Sequence, residues 1–185
     1  MSKTIDSSSW EKISSKRVYK NQLFDVHEDF VIRPDGTPGT YNFVTMPDTV
    51  GILAIDDKQR MDLVRQYRYT IQRYSWEIPS GRIDKGETPL AAARRELLEE
   101  AGIRAQLWKS LGYTHPAVGI LNSKRFLFLA KDLQSTHSNP DATEDITIKR
   151  FSIETMLQSI DKNTIFDDYT LSALLKYSPE DLKRS

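Results

Sequence analysis

The sequence predicts an α/β fold in which helices pack on a mixed β-sheet, and three observations carry that expectation. The first third of the chain is a series of runs rich in β-branched and aromatic residues, separated by turn residues. Residues 89–101 then switch to Ala, Leu, Arg and Glu, bounded by helix start and stop signals. Strand-like runs return after that helix, and two helical segments close the chain, an order that suits helices layered on a sheet. At 185 residues the chain suits about one domain, large enough to bury a core without a metal or disulfide staple.

Taken in order, residues 1–9 form a polar start, distinct from the strand-like runs behind it. Residues 17–19 and 23–32 read as strands, the second alternating through Phe24, Val26 and His27. The run Pro34-Asp35-Gly36-Thr37-Pro38-Gly39 is dense turn chemistry, so a hairpin is expected between Phe30-Val31-Ile32 and residues 41–46. Residues 49–55, a turn at Asp56-Asp57-Lys58 and residues 61–69 predict a second strand pair, with the strongly apolar first member central. Pro89 in the first turn and Gly102 just past the end delimit a helix over 89–101. Leu90, Ala93, Leu97 and Ala101 form its apolar stripe. Residues 107–114 and 125–130 return to strand character. Residues 135–141 read as a polar loop, and 152–159 and 167–177 as helices, with Leu171, Leu174 and Leu175 on one stripe of the last.

Composition excludes several functions. Lys plus Arg (26) balance Asp plus Glu (26), so no overall field draws the chain to nucleic acid or to an anionic membrane, and any anion must be gripped locally. The absence of cysteine removes disulfide frameworks, thiolate catalysis and iron-sulfur clusters. The start MSKTIDSSSW has no apolar signal-like core and no 18-residue apolar run exists, so a cytoplasmic protein without a membrane partner is expected.

The chemistry lies in residues 81–103, GRIDKGETPLAAARRELLEEAGI. Positions three and four apart on a helix share a face, so Glu96, Glu99 and Glu100 bring three carboxylates together. They repel one another, yet the same cluster suits a hard divalent cation that takes oxygen ligands. Glu87 can close over the cluster from the preceding loop, and Arg95 can neutralise a carboxylate when the metal is absent. A helix of Ala, Glu and Arg ending in Glu-Glu is common on solvated surfaces, so the short pattern REXXEE decides nothing alone. The complete frame does: Gly81, Glu87, Arg95-Glu96, aliphatic Leu97, Glu99-Glu100, Gly102 and aliphatic Ile103 resemble the signature box of the Nudix hydrolase family at every specified position.

That resemblance implies an α/β/α sandwich with a mixed sheet, preceded here by an N-terminal antiparallel β region over 1–46, with the hydrolase domain over 47–185. It also implies Mg2+- or Mn2+-dependent hydrolysis of a nucleoside diphosphate linked to another moiety. By the same resemblance Glu96 and Glu100 are principal metal ligands and Glu99 is a further ligand or the group that polarises the water. The carbonyl of Ser80 is an additional ligand, while Arg95 and Glu87 hold loop and helix in register, with Gly81 and Gly102 structural. The segments Val64-Arg65-Gln66-Tyr67-Arg68-Tyr69 and Trp76-Glu77-Ile78-Pro79-Ser80-Gly81 resemble those of the branch that hydrolyses ADP-ribose and nucleoside-diphosphate sugars. A strand places Arg68 on the face of Gln66 and Val64, where its guanidinium either chelates phosphate oxygens or is an ordinary edge-strand arginine. Glu77 either meets sugar hydroxyls or pairs with an arginine.

The substrate expected is therefore ADP-ribose or a related nucleoside-diphosphate sugar. A dinucleoside polyphosphate, a cofactor or a capped RNA end is the alternative, as is a catalytically silent sensing module. Where the branch carries Ser-Pro-Gly followed by an acidic base, this chain has residues 115–124, HPAVGILNSK, without a carboxylate. His115 reads as a loop residue. The base is then the metals alone, Glu99, or an acid of the later loop, Glu144 or Asp145. Glu99 is favoured as base, and Glu144 for a lid. A homodimer is expected through residues 18–46, with Phe24 or Tyr41 available to stack on the nucleobase.

Overall fold

In the computed structural model, which describes residues 9–136 and 147–177, the chain forms two compact units. The first comprises residues 9–47 together with 115–123, and the second residues 48–114 with 124–136 and 147–177. In the first unit, β1 (Glu11–Lys20), β2 (Asp25–Ile32), β3 (Pro38–Thr45) and the short β9 (Leu121–Asn122) make one sheet in that order. The expected hairpin is there, with Ile32 opposite Pro38 and Asp25 opposite Thr45. Its turn is drawn in by Asp35, whose side chain accepts from the Thr37 N–H and hydroxyl. The run 115–123 belongs with this sheet: β9 pairs parallel to β3, and His115 Nδ1 meets the Ser123 carbonyl at 3.0 Å.

The second unit is layered. Between β7 (Ser80–Arg82) and β10 (Arg125–Ser135) lies β4 (Thr49–Ala54), with β8 (Ile103–Thr114) beyond β10. The sheet is mixed: β4 runs parallel to β10 and antiparallel to β7, and β10 runs antiparallel to β8. All of β4 is buried, as a central strand requires. Its alternation divides the core. Val50, Ile52 and Ala54 join Ala92, Ala93, Leu97 and Ala101 of α1 (Pro89–Ala101), while Leu53 and Ile55 join Met61, Leu63, Ile78, Phe151, Met156 and Ala173 on the other face. A second sheet, β11 (Thr147–Ser152), β5 (Arg60–Arg68) and β6 (Arg73–Glu77), contributes to that other face, together with α2 (Ile153–Asp161) and α3 (Asp168–Lys176). Among the described residues no helix is long and apolar enough to cross a membrane.

The helix α1 starts and stops at the residues expected. The Thr88 hydroxyl accepts from the Ala91 N–H at 3.2 Å, Pro89 occupies the first turn, and Gly102 closes the end at φ 62°, a left-handed conformation in which a β-carbon is strained. Two expectations are corrected. The runs 49–55 and 61–69 do not pair with each other as a hairpin: beyond an isolated bridge from Ile55 to Met61, β4 and β5 enter different sheets. Each is buried on both faces over its apolar stretch, and each is flanked by two other strands: β4 by β7 and β10, β5 by β6, which follows it in the chain, and by β11. Leu175 is not on the packed stripe of α3 either; it is 88% exposed, and Thr170 and Ala173 face inward while Leu174 packs against the core.

The start of α3 docks on the segment that joins β6 to β7. The Thr170 hydroxyl accepts from the buried Ile78 N–H at 2.9 Å, and Asp167 caps the helix by accepting from the Thr170 N–H at 3.0 Å. The second Asp167 oxygen is buried without a hydrogen-bond partner. Burial pushes the Asp167 carboxyl up to about 6, against the Thr170 hydrogen bonds and with help from the charges of Glu77 and Asp168. A carboxyl whose folded pKa exceeds its unfolded value of about 3.9 binds its proton more tightly when folded. Its contribution to stability is therefore present at low pH and is lost as pH rises through the folded pKa. Asp167→Asn, which keeps a good cap, should melt at the same temperature as the parent near pH 4 and several degrees higher near pH 7, as read by calorimetry.

Candidate active site

The carboxylate end of α1 lies against β7 and the inward face of β5. Arg95 is the hub of one half. Its guanidinium reaches Glu87 at 3.2 and 3.0 Å, Glu96 at 2.6 Å, Glu99 at 3.1 Å and the Arg82 carbonyl at 2.9 Å. The hydrogen bond from Arg95 keeps the Glu87 carboxyl below its ordinary range, and Glu87, Glu96 and Glu99 together raise the Arg95 pKa. The repulsion within the cluster is thus offset by one cation that also ties the loop 82–87 to the helix.

Glu100 belongs to the other half. It is 4% exposed, and each of its oxygens takes an N–H: Oε1 from the Gln66 side chain at 3.0 Å and Oε2 from the Ser80 backbone at 2.8 Å. Two residues farther along β5, Arg68 forks onto Glu77 of β6, with Nε donating to Oε1 at 2.8 Å and Nη2 to Oε2. The Glu77 hydrogen bond is the main reason the Arg68 pKa is raised, with Glu100 and Tyr169 adding to it and burial opposing. Close by, the buried Arg125 pairs with Asp168 and lies over the Tyr169 ring at 3.3 Å. Tyr169 in turn abuts Gly51 of β4.

Gly81 shows why the frame demands glycine. A β-carbon there would overlap the Glu96 carboxylate, so any side chain at position 81 would push that carboxylate away from its place beside β7. Among the described residues no three His, Cys, Asp or Glu side chains converge as a metal site, because Arg95 draws Glu96 and Glu99 to itself while Gln66 and Ser80 hold Glu100. The donors nevertheless suit a hard divalent ion: carboxylate oxygens on successive turns of one helix face, with a side-chain-free backbone opposite.

The structure therefore brings together Glu87, Arg95, Glu96 and Glu99, and separately Glu100, Ser80 and Gln66, with Arg68 and Glu77 adjoining. Glu77 takes the arginine alternative. Ser80 meets Glu100 through its N–H. Phe24 and Tyr41 lie in the first unit, where Phe24 packs on Tyr19 and the Tyr41 hydroxyl donates to the Gly119 carbonyl at 2.8 Å. Glu144 and Asp145 lie outside the described residues. Sequence reasoning did not single out Gln66, Arg125 or Asp168. The first carries a signal, two-residue spacing from Arg68 on one strand face, whereas the other two meet across 43 residues with no local mark.

Residues 45–174 match the NUDIX domain. The chain belongs to the Nudix family. Residues 10–44 match the N-terminal domain of nucleoside diphosphate sugar hydrolases. Among curated proteins, the ADP-ribose pyrophosphatase of Bacillus subtilis (strain 168) is 26% identical over 164 residues, covering 88% of this chain and 89% of that protein. The ADP-ribose pyrophosphatase of Mycobacterium tuberculosis (strain ATCC 25618 / H37Rv) is 31% identical over 170 residues, covering 90% and 82%. The crystal structure of an ADP compounds hydrolase superposes with a TM-score of 0.83 at 26% identity, over 94% of both chains. The α/β architecture expected from the Nudix box is the one found, and Nudix hydrolases generally depend on a divalent metal.

If Arg95 is the counter-ion that holds Glu87, Glu96 and Glu99 together in the absence of metal, Arg95→Gln should lower the melting temperature in EDTA by several degrees. Millimolar Mg2+ should close much of that gap, since a cation bound to the folded state replaces the lost charge. Differential scanning calorimetry with and without EDTA checks both.

Proposed function

We propose that this Nudix chain hydrolyses the pyrophosphate bond of ADP-ribose or a related nucleoside-diphosphate sugar, yielding a nucleoside monophosphate and a sugar phosphate. The observation that carries the reading is the juxtaposition of an intact acidic face, Glu96, Glu99 and Glu100, with the pair of half-buried Arg68 and buried Glu77 two strand positions from the Glu100 clamp. The names of the relatives and the N-terminal domain match support the same substrate class. Glu96 and Glu100, with the Ser80 carbonyl, would hold Mg2+ or Mn2+, which would neutralise the pyrophosphate and lower the pKa of a bound water. Arg68 supplies a guanidinium for phosphate oxygens, and Glu77 fixes its plane. Arg95 gives up Glu96 and Glu99 and keeps Glu87, so that the loop 82–87 stays docked. Glu99, with its side chain 46% exposed, is the carboxylate that takes the proton of the attacking water.

The N-terminal β region over 1–46 is read as the dimerising element ahead of the hydrolase domain over 47–185. What supports this is the exposure of Trp10, Ile13, Val18, Tyr19 and Phe30 on and beside β1 and β2, more apolar surface than a solvated two-stranded edge needs. Light scattering of the intact chain at micromolar concentration should give a dimer mass; a monomer alone would rule the assignment out.

Phosphate release with a coupled phosphatase, across ADP-ribose, other nucleoside-diphosphate sugars, dinucleoside polyphosphates and capped RNA, tests the substrate class. Turnover should be greatest with the diphosphate sugars and vanish with EDTA. Glu100→Gln should cost at least about 100-fold in turnover at saturating substrate. Glu99→Gln should lose the acidic limb of the pH-rate profile, and retention of that limb would move the base elsewhere.

A further inference from the structure

We propose that Gln66 is a positioning residue that presets Glu100 for its cation, an inference that rests on the reading of Glu100 as a metal ligand. The Gln66 amide nitrogen can only donate and the carboxylate only accept, so the 3.0 Å contact has one polarity. Its partner donor, the Ser80 N–H, comes from a different strand and engages the other oxygen at 2.8 Å. Two donors from two strands select one orientation of a side chain that is 4% exposed, where an ionised carboxylate without donors would be costly.

The contrast with Arg95 gives the arrangement its meaning. Glu96 and Glu99 are neutralised by a guanidinium that a cation must displace. Gln66 holds Glu100 without charge and competes for none of its field. Glu100 is therefore the member of the cluster already aimed when the ion arrives, and the Gln66 amide is what aims it. Arg68, on the same strand face, is already committed to Glu77 and leaves this task to Gln66.

Direct Mn2+ binding by the full chain, read by the electron paramagnetic resonance of free Mn2+, tests the proposal without relying on turnover. Gln66→Met, close in shape but without a donor, should weaken Mn2+ binding by about 10-fold, the loss typical when the outer partner of a metal ligand is removed. Its melting temperature in EDTA should fall by a few degrees, because one oxygen of a buried carboxylate loses its donor, and at saturating Mn2+ its turnover should recover toward that of the parent. Glu100→Gln should weaken Mn2+ binding further, and adding Gln66→Met to it should have no additional effect, because the two act through one carboxylate. Parental affinity in Gln66→Met alongside loss in Glu100→Gln would overturn the positioning role and leave the ligand assignment standing. Parental affinity in Glu100→Gln would overturn the ligand assignment, and this proposal with it. Should Gln66→Met fail to fold, Gln66→Asn carries the same comparison, since its amide is too short to reach Glu100.

Discussion

Carboxylates crowded onto one helix face repel, and the organisation of this site is the containment of that repulsion. Arg95 offsets Glu87, Glu96 and Glu99 from one side, while neutral N–H donors of Gln66 and Ser80 satisfy Glu100 from the other. Neither arrangement works unless the helix is pressed against the backbone that supplies the donors. That pressing comes from the adjoining apolar stripe of α1, where Ala92, Ala93, Leu97 and Ala101 are buried against Val50, Ile52 and Phe128. Small residues at three of those four helix positions bring the helix axis close to the sheet, and Gly81 removes the side chain that would hold the acidic face away.

The same economy extends to the substrate side. Gln66 and Arg68 leave β5 on the face that looks toward Glu100 and Glu77, and strand alternation alone puts them there. The two side chains do different electrostatic work. Arg68 brings a permanent charge into the site and needs Glu77 to hold it in place, whereas Gln66 adds only dipoles. The N-terminus of α3 completes the surroundings, anchored by the Thr170 hydroxyl on Ile78 and by the Arg125 pair with Asp168.

Much of this was legible in the residues. The limits of α1, its apolar stripe, the central position of residues 49–55 and the N-terminal hairpin all rest on local signals: a cap, a proline, a glycine, a period. What was missed is short or non-local. The strand β7 is three residues long, too brief for alternation to register, and β11 buries only Phe151 of its six residues, so neither carries a clear period. The separation of β4 from β5 was hidden because an Asp-Asp-Lys turn reads as a hairpin whichever sheet each strand enters. The grouping of residues 115–123 with the N-terminal sheet depends on a two-residue pairing with β3 that no local pattern announces. At the site, residue types and helix spacing identified the carboxylates, but which of them share Arg95 and which is held by Gln66 depends on strands brought together by the fold.

Close approach of the β7 backbone to the acidic face of α1 is what the proposed metal site depends on. Gly81→Ala tests it with one methyl group. Measured by Mn2+ titration together with turnover on a nucleoside-diphosphate sugar, the variant should lose at least about 10-fold in both affinity and rate, because the added carbon occupies the space of the Glu96 carboxylate. Its far-ultraviolet circular dichroism should match the parent. Parental affinity and parental turnover in a folded Gly81→Ala protein would contradict the claim.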